Sequence, residues 1–115
     1  MFRIYFDGKL IGCSALEDGD PPMGCAEGLF IPREEFKNFQ ASVSPEEDGD
    51  PAIKRWVGLS VSTDEGAQID CLDVGLFEYD FGDDKELRVD ALGIGYPIYE
   101  KLFPGRYAAY EASFS

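Results

Sequence analysis

Between Trp56 and Ile94 the chain reads as three runs of β character separated by two short polar turns, and this stretch most limits the folds open to it. The first run, Trp56 to Thr63, alternates Val57, Leu59 and Val61 with Gly58, Ser60 and Ser62. Asp64-Glu65-Gly66 forms a turn, and a long run from Ala67 to Phe81 follows. After a second turn at Gly82-Asp83-Asp84, the stretch from Glu86 to Ile94 sets Leu87, Val89 and Ala91 against Glu86, Arg88 and Asp90. A period of two marks half-buried strands, and turns this short join antiparallel neighbours, so a meander is predicted. The long run changes phase. Ile69, Cys71, Phe77, Tyr79 and Phe81 share one parity, and Leu72, Val74 and Leu76 hold the other. Either both faces are covered there, or a bulge near Asp73-Val74-Gly75 shifts the register, with Gly75 as the bulge residue.

The N-terminus carries a second strong signal. Phe2, Ile4 and Phe6 alternate with Arg3 and Tyr5, and Asp7-Gly8 precedes Lys9-Leu10-Ile11-Gly12-Cys13. A two-residue Asp-Gly loop suits a type I′ turn, in which both central residues take positive φ. Strands are expected at 2–6 and 9–13. From Ser14 to Gly28 the periodicity is lost amid turn chemistry, and a loop is expected. Gly28 to Ile31 is read as a short strand. Pro32, Glu34 and Glu35 then precede Lys37, a charge order that suits a helix at about 33–40 with Phe36 and Phe39 on one face. Ser44-Pro45-Glu46-Glu47 resembles a helix start cut short by Gly49 and Pro51. Glu17-Asp18-Gly19-Asp20-Pro21 recurs as Glu47-Asp48-Gly49-Asp50-Pro51, but the flanks do not align, so two independent turns are expected. A short helix is predicted across 96–105, with Ile98 and Leu102 four apart, and a last strand across 106–114. The sum is a single α+β, β-rich domain over 1–115: a mostly antiparallel sheet of about six strands with two short helices packed on it.

Apolar residues at 44% are ample for a core in a chain of 115 residues. No apolar run approaches the roughly 20 residues of a membrane span, and the N-terminus lacks the shape of a signal peptide, so a cytoplasmic location is expected. Cys13, Cys25 and Cys71 are odd in number and show no Cys-x-x-Cys, which favours buried free thiols over a disulfide framework or zinc ribbon. Histidine is absent, which removes the commonest general base and metal ligand. No phosphate loop, nucleophile elbow or triad is present, so no catalytic residues and no cofactor are expected. The two acidic loops lack the alternating ligands of an EF-hand, and no metal site is expected.

The net charge is −13, and residues 64–90 hold ten acidic residues against Lys85 and Arg88. Such a chain repels nucleic acid and anionic membranes and attracts a basic protein. If the meander pairs as read, Asp70, Glu78, Asp80, Glu86 and Asp90 project from one sheet face, opposite Ile69, Phe77, Tyr79, Leu87 and Val89. Like charges on neighbouring strands cost stability, so a retained block of acid points to a use. Trp56 is a candidate apolar anchor, and Tyr79 another if a bulge turns it outward. In composition the chain resembles immunity proteins and antitoxins, small acidic sheet proteins that neutralise basic nuclease toxins. That resemblance, of composition alone, implies a module that blocks or escorts a basic protein partner; the strand alternation, not the resemblance, names those seven residues as the expected contact. Two other readings compete: a small carboxylate-using enzyme or ligand-binding domain with a cleft between the 14–32 loop and the sheet, and a homo-oligomer joined through an exposed strand edge.

Overall fold

The computed structural model describes residues 1–47, 52–80, 82–95 and 98–113, without the side chains of Glu47 and Tyr107. The fold is mixed α+β and built on two antiparallel sheets. The chain opens with the expected hairpin, β1 (Phe2–Phe6) and β2 (Lys9–Ser14), and Asp7 and Gly8 take φ of 50° and 78°. Both values are positive, as the type I′ turn requires.

The segment expected to be a loop holds two strands, β3 (Asp18–Asp20) and β4 (Cys25–Leu29), around a single 3-10 turn at Pro21–Met23. Their inward residues are small, which hides the alternation: Gly19 faces Ala26, and Ala26 and Gly28 face Ala91 and Val89. A Cβ at Gly28 would press on the Glu17 carboxylate and on Ser14 Oγ, and those side chains would have to shift. The chain then crosses to the other sheet as β5 (Ile31–Pro32) and continues into α1 (Phe36–Ser42). Phe36 and Phe39 are buried, as their spacing predicts. Glu46–Glu47 is a two-residue strand, β6, in place of a helix start, and Asp48 to Pro51 of the second acidic repeat lie outside the described residues.

The meander proves to be shared between the sheets. β7 (Ile53–Trp56) belongs to the larger one and β8 (Ser60–Ser62) to the smaller, with Gly58 at φ 75° between them. Residues 67–72 add one bridge, Gln68 to Ser62, and β9 begins only at Asp73, running to Asp80. No bulge falls at Gly75: β9 pairs in unbroken register with β7 and with β10 (Lys85–Leu92). The phase change in the sequence marks where the strand starts. The smaller sheet has the order β5-β2-β1-β8, the larger β3-β4-β10-β9-β7-β6. Six strands was therefore an undercount.

The C-terminal segment is helical. Ile98–Leu102 forms α2, and Pro104–Ala112 forms α3 where a strand was expected. Pro104 is at the first turn, where its missing N–H costs nothing, and Ala108, Ala109 and Ala112 are strong helix formers. Arg106 ties α3 to the rest of the molecule. It donates to the Leu16 carbonyl at 2.8 Å and to Tyr99 Oη at 3.3 Å, and its guanidinium lies 4.4 Å from the centre of the Phe103 ring. One core joins Ile4, Ile11 and Val61 of the smaller sheet to Trp56, Val74, Leu76, Val89 and Ala91 of the larger, with Phe36, Phe39, Tyr99 and Phe103 from the helical segments. No described helix is long and apolar enough to cross a membrane. The three cysteines are free; Cys13 is buried, but Cys25 and Cys71 are half-exposed.

Candidate partner-binding face

The two faces of the larger sheet follow from register. Asp80 pairs with Lys85 across a four-residue connection, so odd-numbered residues of β9 stand opposite even-numbered residues of β10. Residues directly opposite share a face. One face carries Trp56, Val74, Leu76, Val89, Ala91 and Ala26, all buried in the core. The other presents three rows: Ile53-Tyr79-Glu86, Arg55-Phe77-Arg88-Leu29, and Gly75-Asp90-Glu27-Asp18. None of these belongs to the core cluster.

This register divides the five acids expected on one face. Glu86 and Asp90 lie on the outer face, beside Phe77 and Tyr79 instead of opposite them. Glu78 lies on the inner face opposite Leu87, and only 7% of it is exposed. Asp80 follows at the end of β9 with the same parity as Glu78, and its carboxylate accepts the Gly82 amide at 3.0 Å. Asp70 is exposed in the segment before β9. The expectation failed because loop length sets strand parity, and the hairpin was read with even residues opposite even. Trp56 is also misplaced as an anchor. It is buried, and its indole N–H donates to the Val43 carbonyl at 2.9 Å. Tyr79 does face outward, without any bulge.

On the outer face Phe77 and Tyr79 stack with ring centres 6.2 Å apart, and the Arg55 guanidinium lies 5.6 Å from the centre of the Phe77 ring. A Cβ at Gly75 would meet the same ring at 3.4 Å, an ordinary van der Waals contact, so Phe77 leans along its own strand toward Gly75. Arg88 pairs with Asp18 at 3.2 Å and with Glu86 at 3.6 Å. Asp90 and Glu27 stand directly opposite on β10 and β4. Burial, then a hydrogen bond with Glu27 and its charge, push the Asp90 carboxyl up to about 6. Burial raises the Tyr79 hydroxyl too, with the Asp90 charge adding to it. Asp90 thus holds its proton more tightly than an ordinary carboxylate, on the face that carries the aromatic pair.

Sequence reasoning missed Asp18, Glu27, Arg55 and Arg88. The first two sat in a segment read as loop, and glycines and alanines concealed its strands. In the first acidic repeat Glu17 accepts the Leu29 amide at 2.7 Å and Asp18 pairs with Arg88. No cluster of three or more potential metal ligands occurs among the described residues. Compared with models of known families, with curated proteins and with solved structures, the chain matches none.

Proposed function

We propose that the protein is a binding module for a basic protein partner, an inhibitor or escort of the immunity-protein or antitoxin type, and that the outer face of the larger sheet makes the contact. One observation carries this: half-buried Phe77 and Tyr79 stand outside the core beside a row of three carboxyls, Asp18, Glu27 and Asp90, on adjacent strands. An apolar centre ringed by charge is how interfaces are built, with aromatics supplying affinity and charge supplying orientation. Like charges directly opposite are unfavourable in isolation, and a cationic partner relieves that cost. The net charge of −13 adds long-range attraction, which acts mainly on the association rate. The strand ends of both sheets argue against edge-to-edge assembly: β5 and β6 have two residues each, β3 and β8 three.

The test is affinity capture from the native cell with the wild-type chain and with Glu27→Lys combined with Tyr79→Ser. A basic partner should be retained by the wild type and lost by the variant, and its association should slow steeply with salt. A folded variant that holds the same partner with unchanged salt dependence would sink the proposal.

A further inference from the structure

We infer that a groove over the inner-face residues Glu78 and Leu87, reaching Leu29 and Glu86 of the outer face at its rim, receives one arginine or lysine side chain of the partner protein. The inference rests on the basic-partner reading but turns on Glu78, which lies outside the outer face, with Leu29 and Glu86 common to both. The groove has a volume of about 520 Å³. Leu29, Ile31, Phe36 and Leu87 supply apolar wall, and the side chains of Glu78 and Gln40 line it as well. Leu29 and Ile31, on either side of buried Phe30, are 48% and 43% exposed.

Glu78 is the informative residue. A buried carboxylate is costly unless a cation or several donors meet it. Among the described residues it has two partners. Gln40 Nε2, a neutral donor, is 3.2 Å from Oε2. Lys85 Nζ is 3.8 Å from Oε1, and that side chain is 61% exposed. A charge-assisted hydrogen bond would be about 2.7–2.9 Å, so Lys85 is a loose neighbour and not a seated counter-ion. Lys54 stands across from Glu78 on β7, yet its side chain is exposed and makes no ion pair with it. The carboxylate keeps acceptor capacity that no close cation fills.

The chemistry of the walls selects the occupant. An anionic group would meet Glu78 and, at the rim, Glu86. A wholly apolar plug would bury Glu78 further without pairing it. A long basic side chain satisfies both demands, laying its methylenes on Leu29, Ile31 and Leu87 and bringing its charged head to Glu78. Arginine fits best, because its planar fork can bond both carboxylate oxygens. Lys85 then acts as a weak internal competitor for the site.

The experiment is a titration of the ¹⁵N-labelled chain with Nα-acetyl-arginine N-methylamide, with the neutral citrulline analogue as control. Saturable shifts are expected at the backbone amides of Ile31, Phe36 and Leu87 and at the Gln40 side-chain amide, for the arginine compound alone. Glu78→Gln should abolish them. Lys85→Ala should tighten binding by roughly threefold, as loss of an exposed ion pair allows. No saturable shift, equal binding of citrulline, or unchanged binding by Glu78→Gln would each overturn the assignment. Should Glu78→Gln fail to fold, Lys85→Ala decides alone, since weaker binding there makes Lys85 part of the site and refutes its role as competitor. The titration needs no partner protein, so an empty groove leaves the outer-face proposal standing. Loss of the outer-face contact likewise leaves the groove.

Discussion

The two faces of β9 and β10 are made by the same sixteen residues, yet they obey different rules. The inner face packs Val74, Leu76, Val89 and Ala91 at no more than 1% exposure. The outer face sets Phe77 and Tyr79 among Glu86, Arg88 and Asp90, all half-buried. Inner positions are fixed by volume, because close-packed interiors tolerate neither voids nor excess atoms. Outer positions are fixed by nothing the fold itself requires, and that is why chemistry on that face is informative. A hydrophobic core explains Leu76. It does not explain why an aromatic pair shares a face with two carboxyls set directly opposite each other.

Adjacent residues give the sharpest contrast and the largest expected effect. Leu76→Ala should destabilise the protein by about 2–5 kcal/mol, because the buried side chain leaves a cavity. Phe77→Ala, one position on, should cost about 1 kcal/mol, the worth of a cross-strand pair with its cation–π contact. Urea unfolding of both variants measures the difference. Equal losses would mean that the outer face belongs to a second core and is no free surface.

Helix α3 is anchored to the connection between β2 and β3. Leu16 is fully buried with φ 46°, a conformation that a non-glycine residue holds only under constraint. Ser14 Oγ accepts its amide at 3.1 Å, and Arg106 donates to its carbonyl. Arg106→Ala should remove roughly 2 kcal/mol, the cost of leaving a buried carbonyl and the Tyr99 hydroxyl without a charged donor. A change under about 0.5 kcal/mol in the same unfolding assay would show that α3 is dispensable to the fold.

Legibility in the sequence followed the same division. The Asp7-Gly8 hairpin was readable because two local demands, alternation and positive φ, coincide in ten residues. Phe36 and Phe39 were readable because helical spacing is local too. The strands at 18–20 and 25–29 were not, since Gly19, Ala26 and Gly28 face inward and carry no hydrophobic signal. The C-terminal helix was mistaken for a strand because Ala108, Tyr110 and Ala112 satisfy either period, and the deciding contact, Arg106 to Leu16, spans 90 positions. The candidate face suffered most. One residue of hairpin parity moved Glu78 from the surface to the interior and put Tyr79 on the same face as Asp90.

The carboxyl pair gives a smaller effect with a defined sign. The folded value of Asp90, about 6, lies above the usual carboxylate value near 3.9, so the folded state holds this proton more tightly. The stabilisation from it is present in full below about pH 4 and is lost as pH rises to 6. Discounted for the partial exposure of Asp90, the loss is on the order of 1–2 kcal/mol. Asp90→Asn keeps a donor toward Glu27 and has no charge to gain. The difference in stability between wild type and variant, followed by urea unfolding from pH 4 to 7, should therefore move in favour of the variant by about that amount. A difference independent of pH would mean that Asp90 holds its proton no more tightly than an ordinary carboxylate.

The smallest expected effect concerns an ion pair that reaches the edge of the outer face. Arg88 meets Asp18 at 3.2 Å, with 61% of the Asp18 side chain exposed. The edge strand β3 is held to β4 by backbone pairing at Asp18, Gly19 and Asp20, so the ion pair adds to an existing bond and does not create one. Water screens the aspartate, and Arg88 has a second carboxylate in Glu86 at 3.6 Å to turn to when Asp18 is removed. Both facts lower the coupling. A double-mutant cycle of Asp18→Ala and Arg88→Ala should return about 0.2–1 kcal/mol at low salt, shrinking further at 1 M salt. The same cycle on Glu86 and Arg88 should give a similar value, and Arg88 should prefer neither partner strongly. A coupling above about 2 kcal/mol that survives high salt would mean that the Asp18–Arg88 pair is shielded from water, and the outer face would then be a packed surface and not one open to a partner.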